Sequence, residues 1–341
     1  MINPRAILVL RFSSIGDIVL ATSPLTTLRN RFPEARIDFM ILSHFAPLLE
    51  NHPFIDRIIK INKTLPISSL KWMGKLANDD YDLVIDLHNS LRSKLIRRSL
   101  SEPSTLVYKK PRWKRFKLIQ LHINDFDADF NQRKLYHECL KPIMNGSSDC
   151  PDSFLTVTDN EKKQAHEYLI LSGLNNKYMV IIPSAAWGTK CWSVDGYRSV
   201  IDNVLEKSDM SVVILGAKND SICDQIFVKD NRVINLKGKT DLRRSLAIIS
   251  NARFALGSDT GLTHAAEALG IPTAAILGPT SRETGGGTFL QNSVTIENND
   301  LWCRPCSQNG KQPCFRNEQY CMSSITPDLV STRIHEMIAK S

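Results

Sequence analysis

A repeated unit constrains this chain more than any other feature: a short apolar strand, a loop at its carboxyl end, then an amphipathic helix. Ala6–Phe12 reads as a buried strand and Ile15–Arg31 as the helix after it, with further strands at Arg36–Leu42, Arg57–Ile61 and Leu83–Leu87. Loop formers Pro142, Gly146, Ser147, Ser148 and Pro151 then interrupt the rhythm, and a helix over Asn160–Leu171 opens a second series. Its strands are Tyr178–Ile182, Ser211–Leu215, Arg232–Asn235, Arg253–Leu256 and Thr273–Leu277. Its helices are Val194–Lys207, Ser221–Val228, Leu242–Ser250, Leu262–Leu269 and, closing the chain, Pro327–Lys340. Such alternation dictates an α/β fold with parallel sheets covered by helices. A length of 341 residues exceeds one hydrophobic core. The expectation is two Rossmann-like, doubly wound domains facing across a cleft, over residues 1–155 and 156–325. In such sheets ligands bind beyond the carboxyl ends of the strands.

Composition narrows the function. An apolar fraction of 42% and a charged fraction of 23% are those of a globular enzyme rather than a disordered chain. No run approaches the ~20 apolar residues of a membrane span. Arg11 breaks the first apolar stretch, against a signal peptide, so the expected location is the cytoplasm with reduced thiols. The net charge of +8 is concentrated: between residues 88 and 120, ten Lys and Arg face only Glu102, a net +9. Such a stretch suits an anionic partner, whether nucleic acid, a membrane surface or a phosphorylated glycolipid, or else a solvated face.

Four loops after strands carry candidate chemistry. In Arg11-Phe12-Ser13-Ser14-Ile15-Gly16-Asp17, the Asp17 carboxylate serves either as a helix cap or as a general base. In Gly257-Ser258-Asp259-Thr260-Gly261-Leu262-Thr263-His264, small residues and a helix start suit a diphosphate. In the segment Pro183 to Trp192, Lys190 can set a point charge on the same phosphates, with Ser184 and Thr189 as donors. The fourth loop, Gly216 to Asp220, offers Lys218 and Asp220 to a ribose or base, or is a plain turn. Asp125-Phe126-Asp127-Ala128-Asp129 reads as a solvated acidic turn rather than a metal site.

Of eight cysteines, four cluster as Cys303, Cys306, Cys314 and Cys321 in a loop over residues 301–322. Their spacing suits one structural zinc or iron held by four thiolates, or reduced thiols packed in a loop.

The runs FSSIGDIVLATSP, PSAAWGTKCW, GSDTGLTHAAEALGIPTAAILGPTS and ITPDLV together resemble glycosyltransferase family 9, which contains the ADP-heptose lipopolysaccharide heptosyltransferases. The resemblance covers about Ala6 to Val330. It implies the GT-B architecture, with an N-terminal acceptor domain, a C-terminal donor domain and a closing helix over 326–341 that packs back on the first domain. It further implies inverting transfer with Asp17 as the catalytic base and Lys190 neutralising the leaving diphosphate. Thr260, Gly261, Leu262 and His264 would line the phosphate cradle, Asp259 would hold donor hydroxyls, and no cofactor would be needed for catalysis. Ser14, Gly16, Arg92 and Lys94 are the acceptor-side candidates. The implied partners are a nucleotide-diphosphate sugar, with ADP-heptose foremost, and a lipopolysaccharide core or lipid A precursor at the anionic inner membrane. The pattern departs from the family at Ile182-Pro183-Ser184, at Cys191 and around residues 218–220. A relative with another donor or acceptor is the nearest alternative. A silent nucleotide-sugar module and a nucleic-acid-binding protein are remoter, and no nucleic-acid motif supports the latter.

Overall fold

The computed structural model describes residues 3–64, 80–100, 103–144, 146, 149–174 and 176–339. Glu102, Ser147, Ser148 and Lys340, named above, lie outside the described residues. The chain divides into two compact units: Met1–Pro111 with Asn131–Thr156, and Arg112–Phe130 with Val157–Ser341.

Among the described residues, the first unit has strands β1 (Ala6–Leu10), β2 (Arg36–Leu42), β3 (Arg57–Ile61), β4 (Leu83–Asp86) and β5 (Ser104–Val107), in the order β3-β2-β1-β4-β5. Every pairing is parallel. β1 and β4 are buried throughout, as continuous apolar runs require when helices cover both faces. The order reverses between β1 and β4, so the loops after these two strands frame the binding position of this sheet. The edge strand β5 was not expected: its sequence, Ser-Thr-Leu-Val, is short and lies exposed or half-buried.

The single helix expected over Ile15–Arg31 is two, α1 (Ile15–Leu20) and α2 (Ser23–Arg31). Pro24 is the reason. Proline lacks an N–H and is tolerated in the first turn of a helix but not in its interior. The Thr22 hydroxyl covers the break by donating to the Val19 carbonyl at 2.6 Å. Helices α3 (Leu91–Arg98), α4 (Arg112–Gln120) and α5 (Gln132–Glu138) follow, α4 belonging to the second unit.

The second unit opens with α6 (Asp159–Leu171). Its sheet comprises β6 (Tyr178–Ile182), β7 (Ser211–Ile214), β8 (Val233–Asn235), β9 (Phe254–Ser258), β10 (Thr273–Ile276) and β11 (Val294–Ile296), again wholly parallel. The order is β11-β10-β9-β6-β7-β8. Counted from its own first strand this is the doubly wound order 3-2-1-4-5-6, with the reversal between β6 and β9. Between the strands run α7 (Val194–Lys207), α8 (Ile222–Gln225), α9 (Leu242–Ser250) and α10 (Gly261–Ala268). After the sheet come α11 (Tyr320–Ser323) and α12 (Pro327–Ala339).

Two expectations about domain membership change. Residues 112–130 join the second unit, where the Arg115 guanidinium donates to the Glu283 carbonyl at 3.1 Å and Asn124 donates to the Glu283 carboxylate at 3.0 Å. The closing helix α12 puts Val330, Ile334 and Met337 into the core formed by Trp192, Val200, Ile201 and Ile296 of the second unit. An i, i+4, i+7 stripe declares that a helix is buried but not against which core.

The α6 N-terminus shows how local sequence fixes an element. Thr158 and Glu161 form a reciprocal capping box, with the Thr158 amide and hydroxyl both donating to the Glu161 carboxylate at 2.8 Å. Arg243 from α9 adds a bond to the same carboxylate at 2.7 Å. The bond from Arg243 is the largest influence, and together these donors pull the Glu161 pKa down to about 2. A depressed carboxyl stabilises the fold above its unfolded pKa of ~4.3 and loses that contribution as pH falls through the folded value. Glu161→Gln is therefore expected to cost about 1–2 kcal/mol in denaturant unfolding at pH 7. The gap to the parent should close at pH 2 and below.

Candidate functional site

In the first unit the side chains converge on the loop after β1. Asp17 lies in the first turn of α1, and one of its oxygens, Oδ2, takes the Arg11 guanidinium at 2.7 Å. The same oxygen accepts from the Ser14 hydroxyl at 3.0 Å and the Ser14 amide at 3.3 Å. Its other oxygen, Oδ1, accepts from the Tyr136 hydroxyl of α5 at 3.1 Å. Arg11 spans the sheet's reversal point, donating also to the Leu87 carbonyl after β4 at 2.6 Å and to the Ser13 carbonyl at 2.9 Å. Its guanidinium carbon sits 5.5 Å from the centre of the Tyr136 ring.

Burial pushes the Asp17 pKa upward, but the Arg11 charge, followed by the bonds from Ser14 and Tyr136, outweighs it and holds the carboxyl below its ordinary value. Burial together with the charges of Arg11 and Lys110 lowers His88, beside this loop, to about 4, so it is neutral. The Asp17 side chain is 38% exposed while Arg11 is 7% exposed. An ionised carboxylate with one lightly occupied oxygen, fixed by a buried cation, is equipped to accept a proton.

Of the acceptor-side candidates, Ser14 is the N-cap of α1 and Gly16 lies in its first turn, both beside Asp17. Arg92 donates to the carbonyls of Asn62 and Lys63, and Lys94 is exposed on α3. Arg97, in the same helix, is 3.0 Å from buried Asp86. Of the ten basic residues between 88 and 120, Arg112, Lys114, Arg115 and Lys117 belong to the second unit and the others to the first. Lys117 pairs with Asp125 at 2.7 Å within the exposed acidic turn.

In the second unit the residues singled out after β6 and β9 meet across the reversal point. Lys190, in a single 3-10 turn over Gly188–Lys190, places its ammonium 2.8 Å from Asp259, the side chains being 13% and 7% exposed. Thr280 donates to the same Asp259 oxygen at 2.8 Å. His264 Nε2 is 3.8 Å from the other oxygen. Burial works to raise the Asp259 pKa, yet the charge of Lys190, then that of His264, holds it below the ordinary carboxylate value. Ser258 donates to the Pro183 carbonyl at 2.9 Å and so ties β9 to the end of β6, with the Tyr197 hydroxyl 3.0 Å away.

Thr260 is the N-cap of α10 in extended backbone, and its hydroxyl makes no cap bond. Gly261, Leu262 and Thr263 carry first-turn amides without an acceptor in the helix, whereas the His264 amide donates to the Thr260 carbonyl at 3.3 Å. A lysine ammonium beside a helix N-terminus is chemistry suited to an anion, here with the Asp259 carboxylate as the ammonium's partner.

Other donor candidates are otherwise engaged. The Thr189 hydroxyl donates to the Gly310 carbonyl, and Ser184 Oγ is 3.7 Å from Cys223 Sγ. The Asp220 carboxylate closes its own turn, accepting from the Ala217 amide at 2.7 Å, while Lys218 is exposed there.

Among the described residues the four clustered thiols are not arranged round a metal. Cys303 Sγ lies 3.7 Å from the Arg316 guanidinium and the Cys314 thiol donates to the Glu318 carbonyl at 3.8 Å. Among the described residues no group of three or more Cys, His, Asp or Glu side chains is arranged to hold a metal ion. Burial, and then the neighbouring Cys321, Cys303 and Cys314, pushes the Cys306 thiol up to about 11.

Sequence reasoning passed over Arg11, Tyr136, Thr280 and Gly310. Only Arg11 left a signal, as a charge ending an apolar strand. Tyr136 reaches Asp17 from 119 residues away.

The family model of glycosyltransferase family 9 (heptosyltransferase) matches residues 70–314. Over 281 residues the chain is 26% identical to lipopolysaccharide heptosyltransferase 3 of Escherichia coli (strain K12), covering 78% of this chain and 80% of that protein. The glycosyl transferase family 9 structure from Veillonella parvula DSM 2008 superposes with a TM-score of 0.79 at 19% identity, covering 99% of this chain and 98% of that one. The E. coli ADP-heptose lps heptosyltransferase II structure gives 0.73 at 20% identity, covering 98% and 99%. These likenesses establish the GT-B fold.

Removing one member of a buried ion pair strands the other charge. Lys190→Met is expected to cost about 3 kcal/mol in thermal or denaturant unfolding, and adding Asp259→Asn should recover a substantial part of it. Equal, additive losses from the two changes would show that the pair is not coupled.

Proposed function

The chain belongs to glycosyltransferase family 9 and is a glycosyltransferase, and from that premise we propose that it transfers a heptose from ADP-heptose to the lipopolysaccharide inner core with inversion at the anomeric carbon. The observation that carries this reading is the anion site at the β6/β9 reversal point, where Lys190, Asp259 and the start of α10 come together. The departing nucleoside diphosphate gains negative charge as the sugar leaves, and a fixed ammonium with helix amides stabilises that charge more than it does the bound donor. Support for the donor comes from the E. coli relative described as acting with ADP-heptose, and for the acceptor from the lipopolysaccharide heptosyltransferase relative.

Asp17 is the proposed base. Its carboxylate takes the proton of the attacking acceptor hydroxyl, whose oxygen forms the new bond as the bond to the diphosphate breaks on the opposite face. Arg11 holds the carboxylate ionised and Tyr136 orients it. The reaction, on this reading, runs at the cytoplasmic face of the inner membrane. Trp113 and Phe116 of α4 favour contact with an anionic bilayer: both are exposed, their rings stack 5.3 Å apart, and basic residues flank them. No described helix is long and apolar enough to cross a membrane.

Calorimetric titration with ADP-heptose beside UDP-, GDP- and CMP-sugars tests the donor. Selective binding of ADP-heptose is expected, and selective binding of another nucleotide sugar would overturn the assignment. Asp17→Asn should lower kcat by about 10²–10⁴-fold, the usual contribution of a general base, while ADP affinity stays within about threefold. Loss of binding and folding together would mark Asp17 as a structural cap.

The lowered Asp17 pKa sets a pH dependence. The base is protonated and inactive only below its folded pKa, so the acid limb of kcat/KM should lie below the ordinary aspartate range. Arg11→Met removes the dominant lowering charge and should move that limb to higher pH. An unmoved limb would show that another group is the base.

A further inference from the structure

The cysteine-rich loop makes a second set of contacts with an evident direction. Gly310 has φ +84°, and a Cβ built there would lie 2.5 Å from Lys190 Cγ and 2.6 Å from Cδ, closer than any real contact. The loop backbone therefore presses directly on the lysine stem. The far end of that stem is already held, since its ammonium sits 2.8 Å from Asp259. The residue before Lys190 is clamped from both sides: the Thr189 hydroxyl donates to the Gly310 carbonyl, and the Gln319 amide donates to the Thr189 carbonyl.

The loop is in turn anchored to the turn that completes the Asp259 environment. The Gly310 amide donates to Ser307 Oγ at 2.9 Å. The amides of Cys306 and Ser307 both donate to the Pro279 carbonyl at 3.1 Å. Buried Arg304 donates to the Thr280 carbonyl at 2.9 Å and pairs with Glu297 at 2.7 Å. Thr280 then donates to Asp259. The contacts close a ring through Lys190, Gly310, Ser307, the 279–280 turn, Asp259 and back to Lys190.

We propose that the cysteine-rich loop is the seat of Lys190, with Gly310 as the positioning residue that fixes where the ammonium stands. This rests on the reading of Lys190 as the cation of the diphosphate site. An ammonium on a flexible four-carbon stem pays entropy to reach one position. A backbone wall along its stem removes that freedom before the reaction begins, so the charge needs no reorganisation as the leaving group develops its own.

Gly310→Ala tests the seat, with Gly173→Ala as the control. Gly173 has the same kind of backbone, φ +94°, but nothing within 4 Å of the added methyl. Both variants carry the left-handed strain and only one collides with Lys190. In transfer assays Gly310→Ala is expected to lower kcat by about tenfold, short of the ~10²-fold of deleting such a group. Donor KM should move by less than about threefold, and Gly173→Ala should match the parent.

In a Lys190→Met background, Gly310→Ala should add nothing, because it acts through that side chain. The lysine ε-carbon NMR resonance of Lys190, assigned by its absence in Lys190→Met, should shift in Gly310→Ala and stay put in Gly173→Ala. An unmoved resonance, or a full additional loss in the Lys190→Met background, overturns the seat. If Lys190→Met transfers as fast as the parent, the catalytic reading of Lys190 falls, while the resonance still decides the seat.

Discussion

Much of the second unit depends on one buried ion pair, Lys190 with Asp259, drawn between the loops that follow the two strands at the sheet's reversal point. Taking two charges out of water costs several kcal/mol each, and their attraction offsets this only when the remaining donors and acceptors are also satisfied. The surroundings supply that satisfaction: Thr280 donates to the carboxylate, His264 stands near its other oxygen, and the cysteine-rich loop walls the lysine stem. A buried pair of this kind is a weak contributor to net stability and a strong determinant of geometry. The pair stands at the carboxyl edge of the sheet, next to the N-terminus of α10.

The first unit repeats the logic with different parts. Arg11 and Asp17 both follow β1, and Arg11 reaches the backbone after β4, so a buried guanidinium again bridges a reversal point. The consequence for chemistry has two sides. Lowering the Asp17 pKa guarantees the ionised form near neutral pH but weakens the carboxylate as a base. Among the described residues, Oδ2 is occupied by Arg11 and Ser14 while Oδ1 accepts from the Tyr136 hydroxyl, which on the proposed reading leaves it turned toward the acceptor. The arrangement trades basicity for readiness and direction.

How much of this was legible in the sequence follows the range of the interactions. Strands such as Ala6–Leu10 and Tyr178–Ile182 declare themselves because burial on both faces needs an unbroken apolar run. Asp17, Lys190 and Asp259 stand out in the sequence because each lies in a loop that follows such a strand. Their partners were not, since Tyr136, Thr280 and Gly310 sit in segments whose local pattern is ordinary and act only through folded contacts. The short edge strands β5 and β11 lack enough residues to show a period. The stripe of α12 announces burial but not its core, and cysteine spacing leaves a metal and packed thiols both open, without showing Arg316 beside Cys303. The basic stretch read as one patch is shared between two units, with part of its charge spent on Asp86, Asp125 and backbone carbonyls.

The claim on which the chemistry rests is direct displacement by an acceptor oxygen whose proton goes to Asp17. The stereochemistry of the product tests it most directly. With ADP-heptose and a lipopolysaccharide acceptor lacking the heptose, the anomeric configuration of the new linkage is read by NMR and compared with that of the donor. Displacement on the face opposite the departing diphosphate predicts a fully inverted linkage. A retained configuration would contradict the account, because it requires a second displacement or front-face attack that a single base at Asp17 does not provide.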